Sequence, residues 1–548
     1  MTKARGLKRD NFLVQGTILA AASIIVRLIG LVYRVPLTNI IGNEGNGIYS
    51  AAYSIYTILL LISSYSLPLA VSKFVSKAVA KSQYTNAYFY FKCALVFAVV
   101  VGVIVGGLCF VFSDFLAGTL LKTPLSAYSL RILAPTLLIV AVIGVFRGFF
   151  QGLGNMAPTA LSQIMEQIAN AIISVIAAAS LFEVGRGIAT ADGNLSTAYG
   201  AAGGVLGTCI GAVAALIFLL IAFFKCRPYL KEQIAVEAAP VKDNIKDTYK
   251  LLILTIAPVI LSTAVYNISD LLDQAIFNNS LFKLGYSEKQ YDALWGIYSG
   301  KYKLLTQVPI ALASAMASSI IPSLTASVNQ KRSAEINHKI NQAIRFTMII
   351  SIPCFAGFTV LGGPILQMLW GDTDPIAIST LTYGSIAIVA FSLSTLTNGI
   401  LQGIDRMKVP VINAVISLIA HIGVFYLMLT LFQNKVFAVV FANIFFALMM
   451  CILNAMALKK YSNHKQEYTK TFVVPFVASF IMGGAVYLLY KVLSTLTGNT
   501  ISCLLSIIGG VIIYGAALLL LKGIGKEELT ALPMGNKIYG ILHKLHLM

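Results

Sequence analysis

Apolar runs of about twenty or more residues recur from one end of this chain to the other, and no feature limits its folding more. Such a run crosses roughly 30 Å of hydrocarbon as a helix. In lipid, only elements that satisfy every backbone N–H and C=O internally can span. Fourteen runs are read here. The first six cover 12–35, 46–70, 88–113, 126–150, 157–183 and 197–224. After a polar stretch come 250–277, 294–326, 338–361, 376–401, 410–432 and 436–458, and then 470–492 and 501–522. The chain is 58% hydrophobic and 11% charged, whereas soluble domains run near roughly 45–50% and 25%. The expected fold class is an all-α polytopic membrane protein with 14 transmembrane helices. "KARGLKRD" before the first run resembles a signal peptide with "LAAAS" as its cleavage site. The apolar run continues to about Val35, too far for a signal segment, so it is read as an uncleaved first helix.

A net charge of +19 could suggest nucleic acid, but the bases form no polar domain. With the N-terminus inside, 27 of the 40 bases fall in cytoplasmic segments and only six in outer loops. That bias argues for both termini in the cytoplasm and against nucleic-acid binding. The seven cysteines show no CxxC and lie mostly in apolar runs, as small hydrophobes rather than disulfides or a zinc site. Walker A, GxSxG and HExxH motifs are absent, so neither catalysis nor primary pumping is expected and no cofactor is implied.

The chain repeats itself. "GIYSAAYSIY" from Gly47 returns as "GIYSGKYKLL" from Gly296, and "GFFQGLGNMAP" from Gly148 returns as "GILQGIDRMKVP" from Gly399. Two ordered matches at nearly equal offset make spans 1–6 and 7–12 copies of one six-helix unit. Residues 1–235 form the expected N-lobe, 236–460 the C-lobe, and 461–548 the last two helices with a cytoplasmic tail. An even number of spans gives both copies one orientation, and transporters built this way bind substrate between their halves.

Charges inside the spans cost at least ~2.5–3.5 kcal/mol at the bilayer centre, so each needs a reason. Arg27 and Arg34 stand seven residues apart on one face of span 1. Asp270 and Asp273 stand at i,i+3 on span 7. Lys301 and Lys303 on span 8 point about 200° apart, so one of them is expected to line a cavity. All six count to the outer half of the bilayer and are expected in one polar cluster between the lobes. Glu166 lies alone in the inner half of span 5, within a stripe of Ser162, Gln163, Gln167 and Asn170. The functional reading has the bases neutralise an anionic substrate, for which bidentate arginine suits phosphate, while the acids set coupling or gate closure. The alternative is that Arg34 and the lysines reach the outer interface and the acids neutralise bases for packing. Lys92, Arg345 and Arg131 are expected to snorkel to nearby interfaces. Gly203, Gly207 and Gly211 form a close-packing pattern. His543 and His546 are read as interfacial rather than metal-binding. Pro68, Pro135, Pro258, Pro309 and Pro322 mark hinges or tolerated kinks.

Fourteen spans as 6+6+2, together with "RLIGLVYRVPLTNIIGNEGNGIYSAAYSIY" and "LPLAVSKFVSK", resemble the MOP superfamily of exporters and lipid-linked oligosaccharide flippases. Within it the resemblance is to the stage V sporulation protein B / MurJ (MviN)-like polysaccharide biosynthesis branch. "KLLTQVPIALASAMASSIIPSL" is similar to that branch's eighth-helix motif. The resemblance implies a flippase that exports an undecaprenyl-pyrophosphate-linked cell-wall precursor, lipid II foremost, from inner to outer leaflet by alternating access. It implies Arg27, with Gly30, as a cavity arginine and Lys303 as the eighth-helix base. The family's second first-helix arginine falls near Tyr33 and Arg34, shifted by one. Its second-helix base is replaced by an apolar position near Leu60. Spans 13 and 14 are implied to flank a groove for the lipid tail. A coupling cation (Na⁺ or H⁺) or the membrane potential would drive transport. The expected setting is the bacterial cytoplasmic membrane, as a monomer among membrane lipids, beside cell-wall synthesis or sporulation machinery. Other readings are a transporter of another lipid-linked polysaccharide, a MATE-like cation-coupled antiporter, and a non-transporting scaffold. The charge bias makes a direct prediction about orientation. Single cysteines replacing Lys283 and Lys465 in a cysteine-free background should react with an impermeant reagent on intact cells at 283 only; the reverse pattern would invert the topology.

Overall fold

The computed structural model describes residues 12–190, 193–237, 243–329, 333–432 and 435–523; Lys3–Arg9, His543 and His546 lie outside them. Apolar stretches become helices because a helix bonds its own backbone without water. The helices are α1 (Phe12–Leu60), α2 (Leu67–Ala80), α3 (Tyr84–Val111), α4 (Ser126–Gly152), α5 (Ala157–Arg186) and α6 (Ser196–Ala235). There follow α7 (Ile245–Lys283), α8 (Glu288–Ile297), α9 (Lys303–Asn329) and α10 (Ser333–Trp370), then α11 (Pro375–Gly384) and α12 (Ala387–Gly403). The last are α13 (Lys408–Leu431), α14 (Lys435–Ser462), α15 (Val474–Leu496) and α16 (Asn499–Leu520). A two-residue antiparallel ladder, β1 (Ala189–Thr190) with β2 (Gly193–Asn194), pairs Ala189 with Asn194. Among the described residues ten helices are long and apolar enough to cross a membrane, or eleven if α11 and α12, bent by 43°, form one broken span.

The expected division between spans 1 and 2 is present, narrowed to a kink: two helices meet at Gly42, whose non-helical φ of 69° and ψ of −173° only glycine adopts without strain. Span 2 also runs beyond its expected end at residue 70, through a π-helical turn at Leu61–Tyr65 and on into α2. Pro68 sits in the first turn of α2, where its missing N–H costs nothing. Pro135 lies inside α4.

Contacts divide the chain into two compact units, Met1–Gly300 and Lys301–Met548. The packing boundary therefore falls inside the π-helical turn Tyr298–Tyr302, and α7 and α8 pack with the first six spans. In the first unit, Phe91 of α3 meets Phe149 of α4 at 4.6 Å and Phe223 of α6 at 5.1 Å between ring centroids. A second cluster buries Leu37, Ile41, Ile48 and Ile55 of α1 against Leu130, Leu133 and Leu137 of α4. In the second unit Leu324, Ile344, Met348, Leu396, Ile400 and Leu458 join α9, α10, α12 and α14. Buried amides add directional bonds there. Asn413 of α13 donates to Asn454 of α14 at 2.9 Å, and Asn454 donates to Thr397 and Asn398 of α12 at 2.9 and 2.7 Å.

Lipid offers no hydrophobic gain for bringing two apolar helices together, so close approach through small residues does that work. The pattern at Gly203, Gly207 and Gly211 meets this expectation: α6 lies on α5 so closely that a Cβ at Gly211 would stand 2.6 Å from the Glu166 carbonyl. The repeat motif has a second use. The part of α1 beyond Gly42 crosses α8 at the two repeat-equivalent glycines, and the contact is reciprocal. Gly47 rests on the backbone of Asp292, four residues before Gly296; Gly296 rests on the backbone of Asn43, four residues before Gly47. A Cβ on either would overlap a carbonyl oxygen. Gly296→Ala should therefore separate α1 and α8 and cost about 1–3 kcal/mol, as overpacking does. Thermal unfolding of the detergent-solubilised protein should register this as a lower midpoint, and an unchanged midpoint would refute the close crossing.

Candidate functional site

Five of the seven candidate residues belong to the first unit. Arg27 and Arg34 stand on α1 with Gly30 between them on the same face, and a Cβ at Gly30 would lie 3.2 Å from the Gln167 amide nitrogen of α5. The polar stripe of α5 thus faces the arginine side of α1. Arg27 is exposed, and among the described residues it makes no ion pair or hydrogen bond. Arg34 differs. It is half-buried and lies beside the phenols of Tyr33, Tyr49 and Tyr53; Tyr49 and Tyr53 stack at 5.3 Å. Tyrosines at i, i+4 and i+7 (Tyr49, Tyr53, Tyr56) were legible in "YSAAYSIY", though nothing local assigns them to Arg34.

Asp270 and Asp273 share helix α7, yet Asp270 is exposed and Asp273 is buried at 1%. Gln274, the next residue, is equally buried and accepts a hydrogen bond from Ser54 of α1 at 3.1 Å. The inward face of α7 is therefore tied to α1.

Glu166 does not stand alone. Its carboxylate meets Arg147 Nη2 at 2.7 Å, and Arg147 Nε donates to Ser162 Oγ at 2.9 Å. The expectation failed because Arg147, counted with the cytoplasmic loops, lies inside α4, where the α4–α5 hairpin brings it across to Glu166. The snorkelling bases also find protein partners. Arg131 pairs with Asp114 at 2.6 Å, Lys92 lies over the Tyr88 ring at 4.6 Å, and Arg345 donates to the Gly523 carbonyl.

The second unit holds Lys301 and Lys303. Lys301 is buried and forms an ion pair with Asp372, in the loop between α10 and α11. Asp372 in turn accepts from the Asp374 N–H at 2.9 Å, and Asp374 caps α11 by accepting from Ile376 N–H at 2.9 Å. Lys303 is half-buried. The π-helical turn that carries Lys301 and ends just before Lys303 replaces the regular helix expected there; such turns recur at functional sites. Among the described residues no group of three or more His, Cys, Asp or Glu could hold a metal, and all seven cysteines are free.

The long apolar helices, with bases placed inside them, define a multi-pass membrane protein. Solved structures of the same fold include the lipid II flippase MurJ in an inward closed conformation, with TM-score 0.64, 16% identity and coverage of 91% of this chain and 98% of that one. An inward-facing MATE multidrug resistance transporter of the MOP superfamily matches with TM-score 0.62, 14% identity and coverage of 80% and 99%. The profile of the family described as "Polysaccharide biosynthesis protein" matches residues 13–328, more than half of the chain, and that of MatE matches residues 304–427. The chain belongs to the polysaccharide biosynthesis protein family, in the branch that includes MurJ and stage V sporulation protein B. The Bacillus subtilis (strain 168) lipid II flippase MurJ is 27% identical over 88% of this chain and 89% of its own length. Stage V sporulation protein B of the same organism is 23% identical over 97% and 99%.

The Lys301–Asp372 pair yields a test. Removing one partner of a buried ion pair leaves the other charge uncompensated and costs about 3–5 kcal/mol, whereas an apolar pair of similar volume is close to neutral. Asp372→Asn should lower thermal stability markedly, and Lys301→Met with Asp372→Leu should restore it. Equal losses in both variants would show that the pair is not what holds this turn.

Proposed function

We propose that this protein exports a lipid-linked polysaccharide precursor, with undecaprenyl-pyrophosphate-linked lipid II the first candidate, from the inner to the outer leaflet of a bacterial cytoplasmic membrane. The observation that carries this reading is Arg27. Arg147, Arg131 and Lys301 each have an acidic partner, whereas Arg27 is exposed within an apolar helix and has none among the described residues. A cation at that depth cannot face hydrocarbon cheaply, so the reading gives it a water-filled cleft and an anionic guest. Pyrophosphate suits a guanidinium through bidentate bonds. Family membership and relatives whose names state lipid II flipping support the same substrate class.

In this reading all fourteen sequence spans cross the membrane with both termini in the cytoplasm. Arg27 and Lys303 take the diphosphate, Arg34 and Lys301 assist, and α15 and α16 accept the lipid tail. Asp270, Asp273 and Glu166 serve gating or coupling, and access alternates between the two sides. A potential negative inside drives a net-negative headgroup outward, with Na⁺ or H⁺ coupling as the other route. The MatE match over residues 304–427 favours a second reading, a cation-coupled antiporter of small molecules. Its cavity would call for acids more than bases.

The deciding experiment reconstitutes the protein in vesicles and follows movement of lipid II to the far leaflet. Arg27→Ala should lower the rate about 10-fold or more, the scale of one lost charge-assisted bond, and Lys303→Ala should do likewise. Arg27→Lys should recover part of it. Normally inserted Arg27→Ala and Lys303→Ala proteins that flip at full rate would overturn the assignment.

A further inference from the structure

The α1–α8 crossing carries a buried acid that the flipping site does not use. Asp292, whose backbone underlies Gly47, is 1% exposed. Its Oδ1 accepts from Thr123 Oγ1 at 3.0 Å, and its Oδ2 has no hydrogen-bond partner among the described residues. Asn278 of α7, fully buried, donates to the same Thr123 hydroxyl at 3.0 Å and to the Leu121 carbonyl at 2.8 Å. Its own Oδ1 is also without a partner. Tyr291 donates to the Lys122 carbonyl, and Asn279 to the Leu120 carbonyl at 2.9 Å. The α3–α4 connection, the end of α7, α8 and α1 thus meet in a polar knot with more acceptors than donors. A proton on Asp292 would supply a donor that this knot lacks.

Among the described residues no base pairs with this carboxylate. From α8 itself it faces Glu288 and has Lys289 and Tyr291 beside it; from α1 it faces Glu44. Lys289 lies 3.9 Å from Glu44, and the Lys122 ammonium sits over the Phe282 ring at 5.3 Å. Both charged neighbours that reach Asp292 are therefore negative. Burial, with Glu288 adding to it, pushes the Asp292 carboxyl well above the ordinary carboxylate range; the Thr123 hydroxyl opposes that, and Glu44 adds a smaller push upward.

We propose that Asp292 is a proton-binding latch: the proton it holds when α1 and α8 are crossed at Gly47 and Gly296 is lost when they part and water enters. The latch rests on the topology proposed above, which sets this crossing at the outer surface. The sign follows from linkage. The closed crossing binds the proton more tightly than the open one, so raising the outer pH favours opening. The bias is absent below the ordinary carboxylate range, grows by about tenfold per pH unit at most, and saturates above the closed-state value. An acidic exterior holds the crossing shut.

The test uses full-length protein in vesicles, on a cysteine-free background. Ser50→Cys, one turn past Gly47, reports opening through its reaction with an impermeant maleimide. Lys283→Cys, exposed at the end of α7, corrects for the intrinsic pH dependence of thiols. The Ser50→Cys to Lys283→Cys rate ratio should rise at least about 5-fold between outer pH 5.5 and 8.5, within the one-proton limit. Asp292→Asn, uncharged at every pH, should keep the ratio low and flat. Thr123→Val, which removes the donor that favours the charged form, should move the rise to higher pH. A flat ratio in the parent, or a rise that survives Asp292→Asn, overturns the latch. Should Lys283→Cys react only from the opposite side, the topology is what fails, and the same ratios measured from that side still decide the latch. Labelling needs no lipid substrate, so its outcome is independent of whether the protein flips lipid II.

Discussion

A charge inside hydrocarbon must find a counter-charge or water, and much of this structure answers to that constraint. Arg147 crosses the α4–α5 hairpin to reach Glu166. Lys301, buried by the π-helical turn ahead of α9, closes on Asp372 and thereby on the cap of α11. Arg131 takes Asp114. Each pair joins segments that apolar contact alone would leave free to slide, because lipid solvates apolar surface as well as another helix does. Arg27 makes no ion pair or hydrogen bond among the described residues, and its exposure gives the proposed anion site its physical basis.

Close helix approach is the second organising element. Glycine lets two backbones meet where a methyl group would collide. The chain places it at the α5–α6 contact and at the α1–α8 crossing. The second placement turns an internal repeat into a reciprocal contact, with Gly47 on the residue four before Gly296 and Gly296 on the residue four before Gly47. In the proposed latch this tight contact is either crossed or parted. That makes it a fitting place for a buried acid such as Asp292, whose cost depends on which state holds.

The candidate site was legible in part. Charges are so rare in apolar segments that Arg27, Arg34, Asp270, Asp273, Glu166, Lys301 and Lys303 stood out without alignment. Their partners did not. Asp372 lies seventy-one residues from Lys301, and Arg147 looked like a loop base because the end of α4 is not marked by any break in composition. Asp292 gave no signal, since "EKQYDALWG" reads as an exposed amphipathic turn until α1 and α7 cover it. The division between the first two spans was legible, but its width was not: one glycine with positive φ at Gly42 separates two helices, and hydropathy cannot tell a one-residue kink from a loop.

By itself, the sequence determined the solvent, the class of element and the inventory of chemistry. Runs of twenty apolar residues admit only helices in lipid, the paired "GIYS" motifs mark an internal repeat, and the charges inside the spans single out the candidate residues. Tertiary structure decided which charges are consumed in holding helices together and which stay available. It also decided which glycines are contacts and which carboxylate is sealed from water. Those outcomes depend on distances between residues far apart in the chain, and periodicity along one helix carries no information about what another helix brings to its face.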